Sequence, residues 1–267
     1  MIDFDNIDDW AAKLGAAVAP WIPASARSRI RKATLEYVDD TLDKLFDLTD
    51  RDALIDATLN WIRSSTIVAY HGSRLTDEDV ALIEADGLKP LRAADPVVRL
   101  TRALSKHPKW CEVAGRFDPT HPSYGTGEYI GNREGQVHLT LSRSALLDGF
   151  NQYLTHGSEF DRNIACLLLG SEGMELLERD GSPAVIQVAV PGRLALQPDH
   201  ILKSIRANGN TPDMARHFLE AWSYRLAKPR FQSRKMMVDC GIVFNKVVPA
   251  DWILKVQVLR SVPKARA

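Results

Sequence analysis

The order of short apolar segments along the chain is the sequence feature that most limits its fold. Five segments rich in apolar and β-branched residues predict strands: TIVAY, QVHLTL, AVIQVAV, GIVF and ILKVQVL. They lie at unequal intervals, and helical stretches of different lengths separate them. Because this order lacks the regular strand–helix alternation of a doubly wound sheet, it favours the α+β class.

The part of the chain before the first strand contains helix patterns. Apolar residues recur at helical spacing in RSRIRKATLEYVDDTLDKLF and in DALIDATLNWIRS, and Pro23 suits the first turn of a helix. We therefore expect residues 1–65 to form an N-terminal helical segment, either as a packing layer or as a subdomain. A second domain is expected over residues 66–262.

Composition narrows the classes of protein to consider. Lys and Arg together number 34, as do Asp and Glu, so no net charge attracts the chain to nucleic acid or membrane. The three cysteines are scattered, which favours free thiols in a reducing compartment, and the histidines lack zinc-site spacing. The N-terminus is acidic where a signal peptide is basic, and no apolar run approaches a membrane span. We expect a cytoplasmic protein with no metal and no membrane partner.

The stretch TIVAYHGSRLTDEDVALIEADGL predicts a buried strand, an exit loop and a short helix. HGSRL is the predicted loop, Thr76 and Asp79 have the spacing of a capping box, and Gly87 suits the helix C-cap. A glycine in such a loop lets a ligand approach the backbone, whose N–H and C=O can pair with a carboxamide. His71 and Ser73 would then meet sugar hydroxyls, whereas a simple turn with a hydrogen-bonded histidine is the other interpretation.

The same stretch, extended to YHGSRLTDEDVALIEADGLKPL, resembles the opening catalytic segment of the poly(ADP-ribose) polymerase-like ADP-ribosyltransferases. The positions that match are Tyr70, His71, Gly72, Ser73, Ile83, Gly87 and Leu88. The resemblance implies a split β-sheet domain that cleaves the bond between nicotinamide and ribose of NAD. His71 would contact the ribose and the Gly72 backbone would bind the carboxamide. Apart from the resemblance, the guanidinium of Arg74 suits contact with a phosphate. RNA 2′-phosphotransferases and DNA-targeting bacterial toxins have a similar opening.

A second segment, EGQVHLTLSRSALL, resembles the family's second strand, where a Tyr or His flanks nicotinamide. His138 is the candidate here, and a half-buried strand histidine is the other interpretation. Ser142 or Ser144 matches the family serine that contacts the carboxamide. Tyr124 and Tyr129, in the preceding Gly- and Pro-rich loop, are the other candidates for the aromatic wall.

The third segment, MMVDCGIVFNKVVPADWILKVQVL, resembles the family's closing strand pair but departs from it at one position. The family has a Glu that stabilises the developing positive charge, and Cys240 stands in that place. Asp239 is one substitute, if a bulge resets the strand register. Glu159 is another, although Ser158 and Glu159 in the second His-Gly-Ser tripeptide, THGSEF, also suit a helix start. The third possibility is that no catalytic carboxylate exists.

Together these segments predict an NAD-dependent ADP-ribosyltransferase acting on a macromolecular acceptor, either protein or nucleic acid. A toxin or effector role is compatible with this activity. Two alternatives stay open. One is an RNA 2′-phosphotransferase-like enzyme, for which the basic run RLAKPRFQSRKMM would matter more. The other is a catalytically weak protein that binds NAD or a partner.

Overall fold

The computed structural model describes residues 1–35, 37–92, 95–116, 135–196 and 213–261. Its strands form one sheet in the order β5–β3–β2–β4–β6, and β1 pairs with β2 in parallel. Strands β4 and β6 are antiparallel. The strands are β1 (Ile2–Asp3), β2 (Thr66–Leu75), β3 (Val137–Thr140), β4 (Ser182–Pro191), β5 (Gly241–Phe244) and β6 (Ile253–Val258). The α+β class is therefore confirmed, and the ADP-ribosyltransferase fold stays a prediction.

The helices are distributed along the whole described chain. They are α1 (Ile7–Ala17), α2 (Ala24–Lys32), α3 (Asp40–Asp47), α4 (Arg51–Arg63), α5 (Asp77–Asp86), α6 (Asp95–Leu104), α7 (Trp110–Val113), α8 (Gln152–His156), α9 (Glu159–Arg179), α10 (Gly192–Ala195) and α11 (Asp213–Ala227). Among these described helices, none combines the length and the apolar character needed to cross a bilayer.

The chain divides into two compact units, and the first comprises residues 1–69, 140–145 and 189–242. In this unit, helices α1 to α4 pack against α11. Phe218 of α11 lies at the centre of an aromatic cluster, with ring centroids 5.2 Å from Phe4, 4.9 Å from Trp10 and 5.3 Å from Trp61. Edge-to-face contacts of this kind stabilise a core beyond the burial of apolar area.

The second unit comprises residues 70–139, 146–188 and 243–267. Its core includes Leu100 and Leu104 of α6 packed with Ile164 and Leu177 of α9. Helix α9 breaks at Gly170, whose φ of 61° lies in the region that favours glycine. The break lets the two halves of α9 pack on the same core.

The N-terminal segment does not form a compact unit by itself. Residues 1–65 group with α11 and with residues 140–145, which come from later in the chain. This grouping arises because the apolar faces of α1 to α4 are buried against α11. A functional boundary between residues 65 and 66 stays a prediction.

Two predicted elements differ from the observed ones. The segment RSRIRKATLEYVDDTLDKLF does not form one helix, because α2 ends at Lys32 and α3 begins at Asp40. The segment HGSRL is not a loop, because β2 continues through it to Leu75. The start of α5 agrees with the prediction, since Thr76 and Asp79 form the capping box and Gly87 is the C-cap.

Candidate functional site

The candidate site lies on the second half of β2, in the second unit. Burial changes abruptly along this strand: residues 67–70 are buried, whereas His71, Gly72, Ser73 and Arg74 are only half-buried. Side chains alternate between the two faces of a strand, so His71 and Ser73 share one face while Gly72 and Arg74 share the other. The first His-Gly-Ser tripeptide, residues 71–73, therefore lies on a strand, and each of its residues is partly accessible to solvent.

The imidazole of His71 is held by the neighbouring strand. Its Nδ1 atom lies 2.9 Å from the backbone oxygen of His138. Because a carbonyl oxygen only accepts, Nδ1 carries the proton and the neutral ring has its lone pair on Nε2. Burial lowers the pKa of His71, outweighing the bond to His138 that raises it, and the positive charge of Arg99 lowers it further. His71 is therefore a neutral hydrogen-bond acceptor at its Nε2 atom near pH 7.

His138 has its own hydrogen bond on β3. Its Nε2 atom lies 2.9 Å from Oε1 of Gln136, a buried side chain. The amide oxygen accepts, so Nε2 of His138 is the donor in this pair. His138 is half-buried, and its role beside nicotinamide stays a prediction. Its backbone oxygen, and not its ring, makes the observed contact with His71.

Gly72 faces a packed surface. A β-carbon added at this position would lie 3.1 Å from Cδ2 of Leu146 and 3.3 Å from Cδ2 of Leu154. Such distances are shorter than ordinary van der Waals contact. The packing supplies a structural reason for glycine at this position.

Arg74 does not serve as a free phosphate ligand. Its guanidinium donates to the backbone oxygens of Leu154, Thr155, Glu178, Asp180 and Gly181. These carbonyls lie at the C-terminal ends of α8 and α9, where the helix leaves acceptors unpaired. Arg74 thus satisfies the ends of two helices, and its contact with a phosphate stays a prediction that these bonds do not support.

An ion pair near His71 was not predicted from the sequence. Nε of Arg99, on α6, lies 2.9 Å from Oδ2 of Asp161, whose side chain is 6% exposed. Burial opposes the charge of Arg99, but the contact with Asp161 raises its pKa. The local sequence does not indicate this pair, because the helical spacing of α6 gives no sign that Arg99 has a partner 62 residues away.

The two candidate serines bind a carboxylate in the first unit. Oδ1 of Asp5 accepts from the Ser142 hydroxyl at 2.7 Å, and Oδ2 accepts from the Ser144 hydroxyl at 2.9 Å and its backbone N–H at 2.8 Å. Ser142 is fully buried and also accepts from the backbone N–H of Ala145. Both hydroxyls therefore anchor the N-terminus, and the expectation that one of them binds a carboxamide has no support in these contacts.

The second His-Gly-Ser tripeptide forms a helix start, as one interpretation predicted. Ser158 is the N-cap of α9, and its hydroxyl accepts from the backbone N–H of Asp161 at 3.2 Å. Glu159 is the first residue of α9 and is half-buried. His156 is bound on its Nε2 side, 3.0 Å from Oε1 of Glu178. Glu159 belongs to the same unit as His71. Asp161, which pairs with Arg99, lies two residues after Glu159 on α9.

Asp239 lies in the first unit, two residues before β5. It is exposed at the edge of a cleft of about 520 Å³. Cys240 beside it is 5% exposed, and its backbone oxygen accepts from the Leu141 N–H at 3.1 Å. Cys240 is thus a buried residue directly before β5, and the role of Asp239 as the carboxylate stays a prediction.

Tyr124 and Tyr129 lie outside the described residues. Within the part of the chain that the structure describes, no group of three or more His, Cys, Asp or Glu side chains is placed to hold a metal ion. Comparison of the chain with protein-family models, curated proteins and solved structures gave no match.

Proposed function

We propose that the chain binds NAD at the second half of β2 and transfers ADP-ribose to a macromolecular acceptor, protein or nucleic acid, with release of nicotinamide. One observation carries the proposal. The three segments that resemble the ADP-ribosyltransferase motifs supply three neighbouring strands, β2, β3 and β5, in the order β5–β3–β2. More than 60 residues separate β2 from β3 and β3 from β5, as the 67-residue interval between His71 and His138 illustrates, so proximity along the chain does not explain this adjacency.

His71 has the chemical properties that the ribose contact requires. Its neutral ring offers a lone pair at Nε2, and a ribose hydroxyl is a donor that suits this acceptor. The bond to the His138 oxygen fixes the ring orientation before the ligand arrives, which lowers the entropic cost of binding. A charged imidazole would repel positive charge developing on the ribose, and the lowered pKa of His71 prevents this.

Gly72 and Glu159 have more specific proposed roles. The peptide edge of Gly72 binds the carboxamide, since the face of its α-carbon is closed by Leu146 and Leu154. Glu159 is our first candidate for the stabilising carboxylate, because it lies in the same unit as His71 and begins the helix whose Asp161 pairs with Arg99. When NAD is bound, it supplies a nicotinamide leaving group, and the protein residues position the sugar and stabilise positive charge.

A second candidate function is NAD binding without turnover. The observation that favours it is the buried Cys240 in the position where the family has its Glu. The two functions share the His71 contact and differ only in whether the bond to nicotinamide breaks.

The experiment is incubation of the full chain with NAD that carries separate labels on nicotinamide and on the adenylate phosphate. The proposal predicts that nicotinamide is released and that the adenylate label becomes attached to protein or nucleic acid. Binding without release supports the second candidate. Loss of a 2′-phosphate from RNA, with no label transferred, would instead support the phosphotransferase alternative and contradict our proposal.

His71→Asn is the most informative variant for this experiment. The Asn amide nitrogen occupies about the position of Nδ1 and can still donate to the His138 oxygen, but nothing replaces Nε2. The proposal therefore predicts a folded variant that does not release nicotinamide. His107→Asn is the matched control, because His107 is also largely buried and bound, 2.6 Å from Glu172.

A further inference from the structure

The NAD proposal does not use the cleft at Asp239. It lies within the first unit, between residues 38–39 before α3, the first half of α11, and residues 236–239 before β5. Its volume of about 520 Å³ is within the range of small-molecule sites, roughly 300–1,000 Å³. All the residues that line the cleft, polar and apolar, are among those that the structure describes.

One wall of the cleft is a hydrogen-bonded trio on α11. Glu220 is buried, and its two carboxylate oxygens accept from Nε of Arg216 at 2.7 Å and from Nδ1 of His217 at 3.2 Å. Although burial opposes it, these two bonds lower the pKa of Glu220, so the carboxylate is charged and paired with Arg216. Because Nδ1 of His217 donates to Glu220, the neutral ring has an acceptor at Nε2.

Two further carboxylates line the other walls. Asp39 and Asp239 are both exposed in the cleft, and neither has a partner at ion-pair distance among the residues that the structure describes, although the charge of Asp39 helps to raise the pKa of Arg216. Three carboxylates and one guanidinium therefore line the cleft, which gives it an excess of negative charge. Together with Nε2 of His217, the carboxylates of Asp39 and Asp239 also give the cleft more hydrogen-bond acceptors than donors.

The remaining walls are apolar. Val38, Met236, Met237 and Val238 line the cleft, and methionine side chains adapt to ligands of different shapes. Met237 adopts a φ of 46°, a conformation that a non-glycine residue rarely adopts, so this segment is held in place by its surroundings. An occupant would therefore need several N–H donors, a positive charge and a short carbon chain.

We propose that this cleft binds a small organic cation, an amine or a guanidinium compound, between Asp39 and Asp239. The two carboxylates accept its N–H groups, and the methionines and valines contact its carbon chain. His217 accepts a further N–H at Nε2. This inference does not depend on NAD binding, and it rejects phosphates and carboxylates as ligands of the cleft.

The test is a calorimetric titration of the full chain with agmatine, which has a guanidinium at one end and an amine at the other. The proposal predicts saturable binding that weakens as salt is added, since exposed charges are screened. Asp39→Asn and Asp239→Asn should each weaken binding by about tenfold or more, because each removes a charged hydrogen bond. Asp56→Asn, an exposed position of α4 outside the cleft, is the matched control and should leave the affinity unchanged.

Three outcomes would overturn the proposal. One is the absence of saturable agmatine binding, and another is an affinity that Asp239→Asn does not change. The third is binding of inorganic phosphate to the same chain in a manner that Arg216→Gln abolishes. Because NAD is absent from these titrations, none of the outcomes depends on the NAD proposal.

Discussion

The Nδ1 atom of His71 lies 2.9 Å from the backbone oxygen of His138, on the neighbouring strand β3. This single bond determines the tautomer of a half-buried imidazole whose pKa is lowered by burial. A histidine held in this way accepts a hydrogen bond at Nε2 and stays neutral near pH 7. The proposed ribose contact depends on both properties.

The lowered pKa of His71 predicts a specific pH dependence of stability. The unfolded chain binds a proton at His71 near the ordinary pKa of 6.5, whereas the folded chain binds it only at lower pH. Below pH 6.5 the unfolded form therefore holds more protons, so the free energy of unfolding falls as the pH falls. We expect it to fall more steeply in the wild type than in His71→Asn, measured by urea unfolding from about pH 7.5 to about pH 5. Equal slopes would mean that His71 titrates normally.

Arg74 is predicted to act in stability and not in ligand binding. Lysine cannot reproduce the fork of donors that reaches the carbonyls of α8 and α9. We expect Arg74→Lys to lower the free energy of unfolding by about 2–4 kcal/mol, since several carbonyls lose a charged donor. Arg179→Lys is the control: its ion pair with Glu175 is exposed, and its loss should change stability by less than about 1 kcal/mol. A stable Arg74→Lys protein would restore the phosphate role.

The Ser142 hydroxyl is predicted to be structural. Ser142→Ala removes a buried donor to Asp5 and the cap of Ala145, so we expect a loss of about 1–3 kcal/mol in unfolding free energy. NAD affinity, measured by calorimetry under conditions where the variant is folded, should not change. Weaker NAD binding with unchanged stability would favour the carboxamide role that the sequence suggested.

The identity of the stabilising carboxylate is tested by two neutral variants. We expect Glu159→Gln to lower the rate of nicotinamide release at least about 100-fold while changing NAD affinity little, because charge stabilisation acts on the transition state. Asp239→Asn should leave the rate within about threefold of the wild type, a difference of well under 1.4 kcal/mol in the barrier. The reverse pattern would assign the role to Asp239.

Local sequence signals predicted the elements whose formation depends on nearby residues. The capping box of Thr76 and Asp79, the Ser158 cap and the apolar strands GIVF and ILKVQVL all formed where the sequence indicated. Each depends on contacts within a few residues or on a simple apolar pattern. The α+β class followed from the order of these elements.

Contacts across long intervals of the chain were not predictable. No local pattern indicated that Arg74 would reach carbonyls about 80 and 105 residues away, or that Asp5 would bind Ser142. HGSRL was predicted to be a loop because small and polar residues disfavour strands. It forms a strand because tertiary contacts, such as the Leu146 and Leu154 packing on Gly72, outweigh that local preference.

The most direct test of the central claim is a calorimetric titration of NAD into the wild type and His71→Asn. We predict saturable binding to the wild type and an affinity at least about tenfold lower in the variant, because the ribose hydroxyl loses its acceptor. The unfolding curve of the variant should establish that it is folded. Absence of wild-type binding, or equal affinities in two folded proteins, would contradict the account.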